Sequence, residues 1–326
     1  MTEHDILRFL HSRFGAMLMM AIAIVATIVS YYTGNVVDIP GDTGTWLPSA
    51  DDWLPAGGAS LVINLVLNVL IAAMLILLNK RFNILRSPSD LFAGLFLILQ
   101  MSLPSFMGQF YGGTLLCFAV LFLTYKLYMA FNRPYPLQPI FLIFFLLTVG
   151  AMSQYAYLFY IPVFMIGCAQ MRIFSFRTLL AVGIGIIAPV WILWGFDLIS
   201  LRDIKLPHFV NVFSAIDSKE MLQLLVTVGV TVMATFVFGI LNLVRVFNYN
   251  SKTRAYNGFI SIMSFVTIIL VLADYTNCAT YIPLLNCCAA FQMGHYFAIN
   301  NYQRSYIAIL GIIAVYIALY WWSVMV

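Results

Sequence analysis

SLVINLVLNVLIAAMLILLNKRFNILR, residues 60–86, decides the fold. Residues 60–78 are apolar except for Ser60, Asn64 and Asn68, and the cations Lys80, Arg81 and Arg86 follow at once. A run of about 20 apolar residues crosses the hydrocarbon of a bilayer as a helix. Lys and Arg packed against its end mark the side on which that end stays. The same unit, an apolar run closed by a basic turn, recurs along the whole chain.

Composition agrees with that unit. Hydrophobic residues make up 63% of the 326 residues and charged residues only 9%, against roughly 25% in soluble domains. The mean hydropathy is +0.97. A chain with so little polar surface takes lipid as its solvent, and lipid admits only helices or closed barrels. The runs are too long for barrel strands and do not alternate, so the expected class is all-α: a polytopic transmembrane helical bundle. Its breaks give about eleven spans: 14–32, 60–78, 91–106, 114–131, 139–152, 155–171, 178–195, 221–244, 258–273, 280–297 and 306–325. The first is read as a retained helix and not a cleaved leader. Spans five and six are short and meet at Ser153 and Gln154, as two crossings or as a re-entrant hairpin. Residues 1–326 form one domain.

Charge parity gives an orientation. Arg8, Arg13, Lys80, Arg81, Arg86, Lys126, Arg133, Arg172, Arg177, Arg245, Lys252, Arg254 and Arg304 fall on one side of an eleven-span chain. Only Arg202, Lys205 and Lys219 fall on the other. The positive-inside rule then places the N-terminus in the cytoplasm and the C-terminus outside. Two outer loops are long. Residues 34–59 hold Asp38, Asp42, Asp51 and Asp52 with Trp46, Trp53 and no Lys or Arg. Residues 196–220 carry Ile204, Phe209, Val210, Val212 and Phe213 among polar residues, a pattern for a helix lying on the membrane surface. The net charge of +4 reflects topology, and no basic stripe points to nucleic acid.

Candidate chemistry is sparse. Asp51 and Asp52 suit a general base or oxygen ligands for a divalent cation; the alternative is a solvated acidic loop. Asn64 and Asn68 share one helix face, and with Gln100, Gln154, Asn286 and Gln292 they either pair between helices or line a cavity for a polar headgroup. His295 and Asp274 are expected near the membrane edges. The cysteines Cys117, Cys168, Cys278, Cys287 and Cys288 show no metal-ligand spacing, and small buried hydrophobes are expected. No cofactor is implied. No span carries an acid near its midpoint, which disfavours a coupled carrier.

The stretches LPSFMGQFYGGTLLCFAVLFLTYKLYMAF (103–131) and SQYAYLFYIPVFMIGCAQMRIFSFRTLLAVGIGIIAPVWILWGFDL (153–198) resemble an uncharacterised Bacteroidetes-type family of polytopic inner-membrane proteins. That resemblance implies a multi-pass protein of a bacterial inner membrane. A short outward helix pair after several spans, with an acidic first outer loop, is also similar to the C-type glycosyltransferases and O-antigen polymerase-like membrane proteins. This similarity implies a lipid-linked substrate, a glycan or polyprenyl phosphate. Asp51 or Asp52 would then be catalytic, Arg202 and Lys205 would hold phosphate, and Asn64, Asn68 and Gln154 would contact substrate. The other class of function is a non-catalytic membrane subunit or assembly factor that presents its outer loops to a membrane-protein partner. A transporter is third.

Overall fold

The computed structural model describes residues 3–33, 44–55, 57–85, 89–200, 211, 213, 216–246, 248–299 and 305–325. They form helices α1 (Glu3–His11), α2 (Arg13–Tyr32), α3 (Gly58–Phe82), α4 (Leu91–Met101), α5 (Pro104–Met107), α6 (Gly112–Met129), α7 (Leu137–Ser153), α8 (Tyr160–Gln170), α9 (Phe176–Gly195), α10 (Ser218–Val246), α11 (Ser251–Ala273), α12 (Cys278–Ile299) and α13 (Ser305–Met325). Short 3-10 turns occupy Ala50–Trp53, Tyr155–Phe159 and Tyr275–Asn277. No strand occurs among the described residues. Each expected span coincides with helix, and seven helices (α2, α3, α6, α9, α10, α11 and α13) are long and apolar enough to cross a membrane. The protein is membrane-embedded.

The expected third span departs from one continuous helix. It breaks after Met101, and Leu103 takes an extended φ of −121° before Pro104 opens α5. Proline disfavours helical backbone in the residue before it and lacks the N–H that the ladder needs. The remaining α4 has eleven residues, about 16 Å at 1.5 Å per residue. Every one of its side chains is buried. Nearly all of α12 is buried too, and it packs on α4, α6, α10 and α11. Gly294 allows the closest approach: a Cβ there would lie 2.5 Å from the Phe92 Cβ. The other helices surround this pair and turn apolar faces outward, as with Ile184, Ile187 and Trp191 on α9.

Polar groups inside the bundle find partners across helices. Asn64 donates to the carbonyls of Met107 at 3.0 Å and Phe106 at 3.4 Å, completing the end of α5. Asn68 donates to the Asn64 carbonyl at 2.9 Å. Gln100 donates to Asn68 Oδ1 at 3.0 Å and accepts from Asn286 Nδ2 at 2.6 Å. This chain of amides ties α3, α4 and α12 together. On the far side of α12, Asn242 donates to Gln292 Oε1 at 2.8 Å, and Gln292 donates to Ser264 at 3.2 Å. The amides are therefore glue between helices. Tyr128 and Tyr256 stack with centroids 4.4 Å apart. Each hydroxyl donates to the other's backbone carbonyl, at 2.7 and 3.3 Å, clasping α6 to α11.

These contacts sort the turns into two ends. His11 meets Ser89 at 2.7 Å, Asn257 meets the Ile84 carbonyl at 3.2 Å, and Asn132 meets the Met171 carbonyl at 3.0 Å. Arg177 lies over the Tyr135 ring at 4.6 Å on that same end. The opposite end gathers residues 44–55, the Ser153–Tyr155 turn, Asp274–Asn277 and Ser200.

Gln100 is the middle of the amide chain, so its loss strands two partners. Gln100→Leu is expected to destabilise the bundle by about 1–2 kcal/mol, the range for buried polar groups left unpaired. Unfolding of the purified protein in mixed micelles checks this; a change below about 0.3 kcal/mol, smaller than a typical interhelical hydrogen bond, would show that the chain carries no stability.

Candidate functional site

The candidate site lies where the first long loop folds back onto the bundle. Ser49 accepts from the Asp51 backbone N–H at 3.3 Å and donates to Asp51 Oδ2 at 2.8 Å, which shapes the turn Ala50–Trp53. The backbone amides of Trp46 and Leu47 donate to the Met152 carbonyl at 3.2 and 2.9 Å. Ser153 donates to the Pro48 carbonyl at 2.9 Å. The loop is therefore fastened to the last turn of α7.

Asp51 then reaches across to α6. Its Oδ1 accepts from the Gly112 N–H at 2.8 Å, at the first residue of that helix. Its Oδ2 also accepts from Gln154 Nε2 at 3.3 Å. A carboxylate at a helix N-terminus meets free N–H groups and the positive end of the dipole. A Cβ at Gly112 would run into the Gln154 amide and push it aside. Half-burial pushes the Asp51 carboxyl above its ordinary value, and this outweighs the lowering from Gly112, Ser49 and Gln154. Asp52, its neighbour, is exposed.

Below Asp51 a groove of about 350 Å³ runs between α6 and α7. Leu115, Phe118, Ala119 and Phe122 form one wall, Leu146, Val149 and Gly150 the other, and Leu47, Ala50 and Trp53 the lip. The groove ends on Ser153, Gln154 and Tyr157. Gln154 is fully buried, yet its Oε1 has no hydrogen-bond partner among the described residues. The hydroxyls of Tyr111 and Thr114, at the start of α6, are buried beside it. Unpaired buried polar atoms are uncommon and mark places where another molecule can complete the bonding.

The structure brings together some of the residues expected from sequence. Asp51 and Gln154 meet. Asp52 stands apart from them in water. Asn64 and Asn68 are spent on the amide chain and face α4 and α5. Arg202, Lys205, Asp38 and Asp42 lie outside the described residues, as do Ile204, Phe209, Val210 and Val212. Phe213 stacks on Tyr275 at 6.2 Å. Asp274, expected in outer water, is half-buried and accepts from Tyr155 at 2.8 Å and Tyr281 at 3.3 Å. Asn277 donates to the same Tyr155 hydroxyl at 2.8 Å. His295, expected at the interface, is instead 1% exposed, packed between Phe291 and Tyr249. The α12 helix is interior along its length, so even its end is shielded by α10. All five cysteines are buried and free. Among the described residues, no three His, Cys, Asp or Glu side chains gather to hold a metal. Sequence alone did not point to Gly112 or Tyr155; the Ser-x-Asp spacing at Ser49 was the available signal for the turn.

No family model, no curated protein and no solved structure matches this chain. The site must be read from its own geometry.

Asp51→Ala should release the loop, because the Gly112 N–H and the Gln154 amide both lose their acceptor. Limited proteolysis between residues 44 and 55 is expected to quicken about tenfold or more, given that hydrogen bonds to charged groups contribute about 1.5–3 kcal/mol. Asp52→Ala should leave the rate unchanged. Titration gives a second check. The folded protein holds the Asp51 proton more tightly than the unfolded chain, so docking is favoured most below the ordinary value of 3.8 and weakens as pH rises through the folded value. The infrared difference between wild type and Asp51→Asn should show a protonated carboxyl persisting above pH 3.8. A midpoint at or below that value would contradict the burial.

Proposed function

We propose that this chain is a multi-pass protein of a bacterial inner membrane that seats a lipid-linked substrate on its outer side. A polyprenyl phosphate or its glycan is the substrate class. The α6–α7 groove takes the hydrocarbon, and the polar end at Asp51 and Gln154 takes the first polar group. The observation that carries this reading is the combination in one place of an apolar groove of about 350 Å³, a buried amide oxygen without a partner and a half-buried carboxyl. Ligand sites are mostly apolar with a few convergent polar groups, and perturbed titrating groups concentrate in them.

The unlike charge of the two ends of the bundle supports an orientation. Lys80, Arg81, Lys126, Arg133, Arg172, Arg177 and Arg254 belong to the end that carries His11 and Ser89, whereas Asp51, Asp52, Asp197 and Asp274 belong to the other. In this reading eleven segments thread the bilayer, with the N-terminus in the cytoplasm and the site outside. Within the site, Asp51 would act as base on an acceptor sugar hydroxyl: its carboxylate takes the proton, the hydroxyl oxygen bonds the donor sugar's anomeric carbon, and the bond from that carbon to the lipid phosphate breaks to release the polyprenyl phosphate. Arg202 and Lys205, from the next outer loop, would hold phosphate. Glycosyl transfer of this kind is the enzymatic form of the proposal.

A second reading has its own support. Both Asp51 oxygens are committed to the chain's donors, which suits a staple as well as a base. The protein would then be a non-catalytic subunit whose docked loop meets a membrane partner.

A photoactivatable polyprenyl phosphate in proteoliposomes separates the two. Labelling of peptides from α6 and α7, competed by unlabelled polyprenyl phosphate and reduced about tenfold or more in Ala119→Trp, is the expected result; tenfold corresponds to about 1.4 kcal/mol of lost binding. Labelling that ignores Ala119→Trp would exclude the groove. Absence of labelling together with a stoichiometric partner after mild extraction would favour the subunit.

A further inference from the structure

A second recess, with no lining residue in common with the groove just described, lies at the basic end of the bundle. It measures about 300 Å³ and is formed by the end of α8, the end of α10 and the start of α11. The exposed side chains of Arg172 and Arg254 line it together with Gln170 and Ser251. Leu243, Val246 and Ala255 line its apolar side. No acid lines it, and neither guanidinium makes an ion pair among the described residues.

Two unpaired guanidiniums with no acid in the lining suit an anion, and two further details describe how the recess is built. Arg172 has φ +58°, in the left-handed region. Helices commonly close on glycine in that conformation, because a Cβ is disfavoured there. Here an arginine takes the position, and the turn is held by Arg172 N–H to the Ala169 carbonyl at 3.1 Å and by Asn132 N–H to the Met171 carbonyl at 3.0 Å. The second detail is Gln170. Its Oε1 is buried without a partner, and Gly258 opposite leaves its amide room, since even an added Cβ would lie 3.4 Å from Nε2. As placed, the Oε1 is an acceptor that a headgroup hydroxyl can satisfy.

We infer that this recess binds the phosphodiester head of an anionic phospholipid from the leaflet on the basic side. Arg172 and Arg254 take the phosphate oxygens, Ser251 and Gln170 complete the hydrogen bonds, and the lipid's first carbons lie along Leu243, Val246 and Ala255. The apolar side is what selects a lipid over a free anion. Basic pockets between helices recognise charged headgroups in this way. The site is independent of the groove between α6 and α7, and either can exist without the other.

Native mass spectrometry of the protein released from nanodiscs of mixed phosphatidylcholine and phosphatidylglycerol tests the inference. The wild type should retain phosphatidylglycerol in preference to phosphatidylcholine. Retention should fall about thirtyfold in Arg172→Gln/Arg254→Gln, since each near-surface arginine contributes about 1 kcal/mol and about 1.4 kcal/mol is tenfold. Lys80→Gln/Arg133→Gln removes the same charge from the same end and should keep the lipid. Equal loss in both double variants would mean general attraction to the membrane and overturn the site. So would unchanged retention in the recess variant, or displacement of the lipid by millimolar inorganic phosphate. Intact unfolding profiles in micelles confirm that both variants are folded, because all four side chains are charged groups at the bundle's end.

Discussion

Most polar groups that this chain carries into lipid are satisfied by the chain itself. That constraint organises the bundle. The amides of Asn68, Gln100 and Asn286 meet at 3.0 and 2.6 Å because no water is there to take their place. Their meeting fixes which faces of α3, α4 and α12 look inward. The short α4 can exist only because it is wrapped on every side, and its break before Pro104 is tolerated because Asn64 covers the carbonyls that follow.

The same constraint explains the docked loop. Residues 44–55 descend onto the bundle, and their backbone groups bond the end of α7. Asp51 supplies the acceptor that α6 lacks at its start. One carboxyl thus joins a loop, a helix terminus and the buried amide of Gln154. Chemistry, if it occurs here, uses a group already held in place, which favours precision and costs freedom. The groove beneath inherits its shape from this docking, since Leu47, Ala50 and Trp53 form its lip.

The two ends of the molecule are chemically unlike. One end is aromatic and basic: Phe82, Tyr125, Tyr128, Phe131 and Tyr256 interlock there, and the arginines emerge around them. The other end carries carboxylates, of which Asp51 and Asp274 are bonded to amides and tyrosine hydroxyls while Asp52 is exposed. The two recesses follow this division. The one at the acidic end is almost wholly apolar, and the one at the basic end is flanked by guanidiniums.

The run of residues 60–86 and its repeats determined that the chain is helical, membrane-embedded and polarised in charge, because hydropathy and Lys/Arg placement are local quantities. They also marked the long helices, though not α1 or the break between α4 and α5, and they singled out Asp51 and Gln154 among other candidates. They did not separate Asp51 from Asp52, because only the approach of Gly112 and Gln154 makes one a buried acceptor and leaves the other in water. Nor did they show that α4 and α12 are interior while α9 and α13 face outward: all are apolar, and the choice rests on which helices neighbour which. His295 is buried for the same reason. Burial, pairing and cavities depend on residues far apart in the chain, at separations such as 61 for Asp51 and Gly112 or 186 for Gln100 and Asn286, and these only the tertiary structure decided.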